Sequence, residues 1–340
     1  MKIITPEEKR LMGQFFTTTN PFVTDAFVLW MKGINERLDT PTIIEPFAGS
    51  NNIVWMVREL GFENDWASFD VSPSDHNTAE DIPVNILDTI KCFPRGFSIA
   101  ITNPPYLAKN SATARGLNYC GGEFEDLYQK SLSVMLDNCD YVAAIIPDTF
   151  VKQSLFTSRL TCVVSLPCRM FEDTSHPVCL ALFSPNGESQ EDDFDIWSGN
   201  RLIDTFQNLK GHMLPVGTKF PWKFNDPHGP IALKGYDSTQ KADIAFFPGS
   251  HYPPEAIKTS SRHNTRISLE GLDPAEIPQV IELANKKLTE QRLATKDIFM
   301  TAHRGLRRDG KYRRRLEFSQ AREILNSSLL EVRGSKGKLQ

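Results

Sequence analysis

The sequence predicts an α/β protein with a doubly wound, mostly parallel sheet and a smaller C-terminal domain. Short apolar runs alternate with helical stretches between residues 42 and 184, the pattern of strand, crossover helix and parallel strand. The 340 residues exceed what a single hydrophobic core usually organises, which leaves room for a second domain. The charge also changes sign along the chain. From residue 201 onward there are 24 Lys and Arg against 15 Asp and Glu, a net +9, while residues 1 to 200 carry 14 against 27, a net -13.

The expected strands, in order, are Thr42 to Phe47, Trp66 to Val71, Val84 to Leu87, Ser98 to Thr102, Tyr141 to Ile146, Cys162 to Leu166 and Val178 to Phe183. Between them, Asn52 to Leu60 and Phe124 to Leu136 place apolar residues at helical spacing. The polar, turn-rich stretch from Ser184 to Asp193 reads as the exit from the sheet, so the expected domains are 1–187 and 188–340. Beyond it come segments punctuated by Pro and Gly, a helix from Pro274 to Leu293, and a basic hairpin or helix pair.

Composition excludes several classes. Charged residues at 24% and hydrophobic residues at 40% describe an ordinary globular chain. No run approaches the roughly 18 to 20 apolar residues of a membrane helix, and the start lacks the apolar core of a signal peptide, so a cytoplasmic protein with no membrane partner is expected. Six cysteines without a CxxC pair or a His at zinc spacing read as reduced thiols, with no metal site.

The chemistry is most legible at Asn103-Pro104-Pro105-Tyr106, directly after the apolar run ending at Thr102. An aromatic exocyclic amine is a poor nucleophile because its lone pair is delocalised into the ring. A side-chain amide oxygen and a backbone carbonyl that accept its hydrogens favour the pyramidal geometry that attacks a methyl group. The prolines stiffen the turn and lack N–H groups of their own, and Tyr106 offers a face for stacking. A rigid loop leaving a strand is the bland alternative.

With these residues the chain resembles the amino-group methyltransferases, the N6-adenine DNA branch in particular. Ile43-Ile44-Glu45-Pro46-Phe47-Ala48-Gly49-Ser50 looks like that family's first motif, a strand ending in an acidic residue, Pro and a Gly turn. The resemblance implies a seven-stranded Rossmann-like methyltransferase sheet that binds S-adenosylmethionine. Gly49 would let backbone approach the methionine end of that cofactor, beside Pro46 and Ala48, and Glu45 would organise the loop around its ammonium. Asn51 replaces the usual second Gly, and Asn tolerates left-handed backbone well.

Asp70, about 20 residues past the Gly turn, matches the acidic residue that takes ribose hydroxyls, with Val71 against the cofactor adenine. Asn85 and Ile86 fit the third motif, which normally carries Asp, and Asp88 is a rival to Asn85. Gly13-Gln14-Phe15-Phe16-Thr17-Thr18 resembles the motif that closes over the methionine end, placing Phe16 and Thr17 at the cofactor. The motif order looks like the gamma arrangement. In the family an aromatic stacks on the flipped base from the segment before the last strand, and Phe171 fits that role, with His176 behind it. The resemblance covers residues 13 to 185.

The densest cationic run, His303 to Arg315, lies outside it. Arg304, Arg307, Arg308, Lys311, Arg313, Arg314 and Arg315 are the expected DNA contacts, folded back on one another at the Asp309-Gly310 turn, with Tyr312 as a stacking face. Together these readings predict a site-specific adenine DNA methyltransferase acting on double-stranded DNA by base flipping. A cognate restriction endonuclease is a compatible partner. RNA amines and protein glutamine amides are alternative substrates of the same turn, and an inactive DNA-binding module is a more distant reading.

Overall fold

All seven expected strands form, each within two residues of its anticipated ends: β1 (Ile43–Glu45), β2 (Trp66–Asp70), β3 (Val84–Ile86), β4 (Ile99–Thr102), β5 (Tyr141–Pro147), β6 (Leu160–Ser165) and β7 (Val178–Phe183). The computed structural model describes residues 19–153, 155–166, 177–185, 192–215, 217 and 219–336. β4 and β7 are buried along their whole length and β5 along nearly all of it, as continuous apolar runs require when both faces of a sheet are covered. β2 alternates buried with half-buried residues, and the short β3 forms the more exposed edge.

The strand order is β3-β2-β1-β4-β5-β7-β6, continued by β8 (Asp195–Ser198) and β9 (Arg201–Thr205). β3 through β5 pair in parallel, whereas β7 runs antiparallel to both β5 and β6. The sheet therefore has nine strands in place of the expected seven. β8 pairs in parallel with β6 and turns back at Gly199 into β9, while Phe194 and Phe206 stack 4.6 Å apart at the open end of the hairpin. The first compact unit consequently ends at Phe206, beyond the boundary expected at 187. A turn-rich polar stretch has the same composition whether it leaves a domain or joins two strands of one sheet, and here it joins strands.

Helix α1 (Asp25–Leu38), to which the sequence reading assigned no element, buries Phe27, Met31 and Ile34 at helical spacing behind a Thr24 cap. It is followed by α2 (Asn52–Arg58), α3 (Lys109–Ala114), α4 (Leu127–Asn138) and α5 (Phe206–Gly211). Phe27, Met31 and Ile34 of α1, Ile53, Val54 and Val57 of α2 and Ile99, Ile101 and Ile145 of the sheet belong to one continuous core.

The second unit, from Gln207, has its own core. β10 (Lys223–Phe224), β11 (Ile231–Lys234), β12 (Ala245–Pro248) and β13 (Asn264–Ser268) form an antiparallel sheet of order β10-β13-β11-β12. The helix expected from Pro274 is realised as a 3-10 turn capped by Asp273 that leads into α6 (Ile277–Thr295), which packs against β12. The basic run folds as a hairpin, β14 (Thr301–Leu306) and β15 (Tyr312–Arg315), before α7 (Phe318–Lys336). No helix among the described residues is long and apolar enough to cross a membrane.

Candidate functional site

The strand order reverses between β1 and β4, and the loops leaving the carboxyl ends of β1 to β4 converge there, as expected for a ligand site in a doubly wound sheet. The turn after β1 is left-handed at two positions, Gly49 at φ 53° and Asn51 at φ 60°. Asn51 thus adopts the left-handed backbone expected of it. It starts α2, and its buried amide donates to Ile82 O at 2.9 Å and Asn77 Oδ1 at 3.0 Å, interactions a glycine could not make.

Glu45 ends β1 with no exposed surface. Its Oε1 accepts from the Thr102 hydroxyl at 2.5 Å and the Phe47 N–H at 3.1 Å, whereas its buried Oε2 has no partner among the described residues. Burial, reinforced by the neighbouring Asp70 charge and only partly offset by the Thr102 and Phe47 bonds, pushes its carboxyl up to about 8. Glu45 does not itself line the cavity formed by these loops, although the adjoining Pro46 and Phe47 do.

Asp70 ends β2 and ties the site together. Its Oδ2 accepts from Gly49 N–H at 2.9 Å and its Oδ1 from Ser72 N–H at 2.7 Å. The structure thus gives Asp70 a role in holding the Gly49 turn that spacing alone did not suggest. Of the third-motif residues, Asn85 and Ile86 are exposed and lie off the cavity, and the Asn85 amide donates to Ser68 O at 3.3 Å. Asp88 lies on the cavity wall, with Lys91 2.7 Å from its Oδ2. Only the loop beyond β3 reaches the cavity, so of the two candidates Asp88 lines it and Asn85 does not.

β4 delivers Asn103, half-buried, and Pro104, buried. The Tyr106 hydroxyl lies 2.5 Å from Asn103 Oδ1 and 2.5 Å from Ile145 O. Its ring packs edge-on against Tyr128 at 6.3 Å, and burial holds its hydroxyl in the protonated form. Tyr106 and Pro104 do not line the cavity, while Asn103 and Pro105 do.

That cavity measures about 280 Å³ and brings together Pro46, Ala48, Gly49, Asp70, Val71, Asp88, Asn103 and Pro105. Sequence reasoning missed the wall made by Leu107, Leu117, Asn118, Cys120 and Leu127. A bridge between Ala108 and Asp126 closes the base of this excursion, and Leu107, Leu117 and Leu127 pack in a small cluster with Ala112. No motif marks such a wall in sequence, because its role depends only on where the loop is pinned. Phe16, Thr17, Phe171 and His176 lie outside the described residues.

The basic hairpin divides into two sets. Arg307 is buried and bonds Asp309, and its guanidinium reaches Asp237 at 3.2 Å; Asp237 is itself fully buried and gripped twice by Arg292 at 2.9 Å. Arg313 donates to Asp237 O at 2.7 Å, and Arg315 pairs with Glu317. Tyr312 is buried, which removes it as a stacking face. Arg304, Arg308 and Lys311 are exposed, and Arg314 is half-buried. A run of charges in sequence therefore overstates the surface charge, because the turn needs some of its arginines for internal ion pairs.

No protein-family model and no curated protein matches this chain. Solved structures resemble it weakly. They include a chain from Listeria monocytogenes described as a class I S-adenosylmethionine-dependent methyltransferase, with 13% identity over 55% of this chain and 67% of that one, at a TM-score of 0.37. A type I restriction-modification methyltransferase subunit from Streptococcus thermophilus has 17% identity over 54% of this chain and 47% of its own, at a TM-score of 0.39. The type I restriction enzyme EcoKI M protein has 13% identity over 76% of this chain and 67% of its own, at a TM-score of 0.32. This chain spans about half the length of the Streptococcus chain.

Proposed function

We propose that the protein is an S-adenosylmethionine-dependent methyltransferase that modifies the N6 amine of an adenine flipped out of double-stranded DNA. The observation that carries this reading is the shared cavity: Gly49 and Asp70 on one side, Asn103 and Pro105 on the other. A nucleoside-binding turn and an amine-polarising turn are useful together only if a group moves between their ligands.

The residues suit the cofactor. Glu45, buried one residue before the cavity-lining Pro46 with its Oε2 orphaned, is the group proposed to partner an ammonium there, and Asp70, with each oxygen accepting one backbone N–H, retains lone pairs for ribose hydroxyls. Val71, Leu87 and Ile90 supply apolar surface for an adenine ring, and Asp88 an acceptor for its amine. When bound, the sulfonium supplies an activated methyl group. Asn103 Oδ1 and the Pro104 carbonyl accept from the target amine and hold its nitrogen towards that methyl, so the protein contributes positioning and polarisation. Tyr106, whose hydroxyl lies against Asn103 Oδ1, holds that amide in place.

DNA as the substrate is supported by the net positive charge from residue 201 onward and by the exposed Arg304, Arg308 and Lys311. A cognate endonuclease would then share the recognised site. Incubation with methyl-labelled cofactor and genomic DNA, followed by nucleoside analysis, tests the proposal. Label in N6-methyldeoxyadenosine supports it, and label confined to RNA or protein in parallel reactions removes DNA as the substrate.

A further inference from the structure

Four side chains of the second unit gather where the β14–β15 hairpin meets the sheet. Tyr236 follows β11 and bridges Arg315 of β15, and His263 precedes β13. The rings of Tyr236, His263 and His303 are mutually 5.2 to 5.4 Å apart, and the Arg313 guanidinium lies 5.2 Å from the Tyr236 centroid. His303 is opposite Arg313 and Thr301 opposite Arg315 in the hairpin register, so these residues share one face.

The cluster is half-exposed, and neither imidazole makes a side-chain hydrogen bond to any described residue. The buried Nε of Arg315 also has no partner among the described residues. Cations crowd the imidazoles: Arg313 and Arg315 beside both, and Arg304 beside His303. Among the described residues Glu317 is the carboxylate acting on His263, and it is already paired with Arg315. Donors in excess, with carboxylate largely absent, call for an anion.

We propose that Tyr236, His263, His303 and Arg313 form a phosphate site for the nucleic-acid backbone, an assignment that rests on DNA being the substrate. Arg313, already oriented by Asp237 O, supplies N–H donors and fixed charge, and the two imidazoles add donors that complete a phosphodiester's shell. Burial, together with the arginines, holds both imidazoles below their ordinary pKa in the free protein. A phosphate reverses that balance, so each DNA binding event takes protons from solvent and tightens as pH falls.

The test titrates the full-length protein with a short fluorescent duplex at about pH 6 and about pH 8, at fixed ionic strength. Wild type binds several-fold more tightly at the lower pH, up to about tenfold per unit of pH for each proton taken up. His303→Gln loses part of that dependence and the His263→Gln/His303→Gln double variant nearly all of it. Equal pH slopes in wild type and double variant overturn the phosphate assignment and leave the DNA reading intact. Absence of duplex binding by wild type at both pH values overturns the DNA reading itself.

Discussion

The Tyr106 hydroxyl lies 2.5 Å from Oδ1 of Asn103, within the turn proposed to hold the reacting amine. It lies equally close to Ile145 O, so β5 helps to fix the orientation of a side chain delivered by β4. Tyr106→Phe keeps the ring and removes this tether. Turnover should fall about threefold to tenfold, the worth of one hydrogen bond of about 0.5 to 1.5 kcal/mol, with the cofactor Kd unchanged. Single-turnover kinetics beside calorimetry checks this. A Tyr106→Phe enzyme of native rate assigns Asn103 another means of support.

The proposed pairing of Glu45 with the cofactor's ammonium makes cofactor binding pH-dependent. With its carboxyl near 8 against an ordinary 4.5, Glu45 carries a proton at neutral pH, and an arriving ammonium expels it. Affinity for S-adenosylmethionine should therefore rise with pH up to about 8 and then level off. Calorimetry in buffers of different ionisation enthalpy should detect close to one proton released at pH 7 with S-adenosylhomocysteine, and none with methylthioadenosine, which lacks the amino group. For the empty protein the sign is opposite. The raised carboxyl contributes stability that is full below about 4.5 and lost as pH rises through about 8, so Glu45→Gln should flatten the fall of Tm over that interval.

The hairpin arginines should separate by role. Replacing Arg304, Arg308 and Lys311 with Ala should flatten the salt dependence of DNA binding by about one unit of slope per lost phosphate contact, leaving Tm unchanged. Arg307→Ala should instead lower Tm and leave the salt slope alone, because it removes an ion pair to a buried carboxylate. Asp237→Ala should cost more than Arg307→Ala, since it removes the buried carboxylate that Arg292 grips twice and Arg307 shares, although Arg292 keeps Asp297 and Arg307 keeps Asp309. Denaturation curves and titrations at several salt concentrations distinguish these outcomes.

The seven strands of the first unit were legible because their apolar runs are continuous or alternating, and Gly49, Asp70 and Asn103, singled out at or just past strand ends, line one cavity. The β8–β9 hairpin was not, since a polar loop hides whether the chain leaves a sheet or rejoins it. The antiparallel sheet of the second unit was equally hidden. Its strands run from two to five residues, too short for a period to register. Asp88, and not Asn85, lines the cavity because the wall is built by the loop after β3 and the strand itself stays off it. Arg307 misled because charge in sequence carries no sign of the carboxylate, Asp237, that folds against it 70 residues away.

The central claim is that one cavity holds both the methyl donor and the amine that receives it. Comparing Asn103→Ala with Asp70→Ala tests it most directly, with labelled methyl transfer to DNA and cofactor binding measured on the same preparations. Asn103→Ala should bind S-adenosylmethionine as wild type does and lose transfer by orders of magnitude. Asp70→Ala should weaken cofactor binding by about 1 to 3 kcal/mol, through the lost ribose contact and a loosened Gly49 turn. Near-native transfer by Asn103→Ala, with native cofactor affinity in Asp70→Ala, would contradict the account.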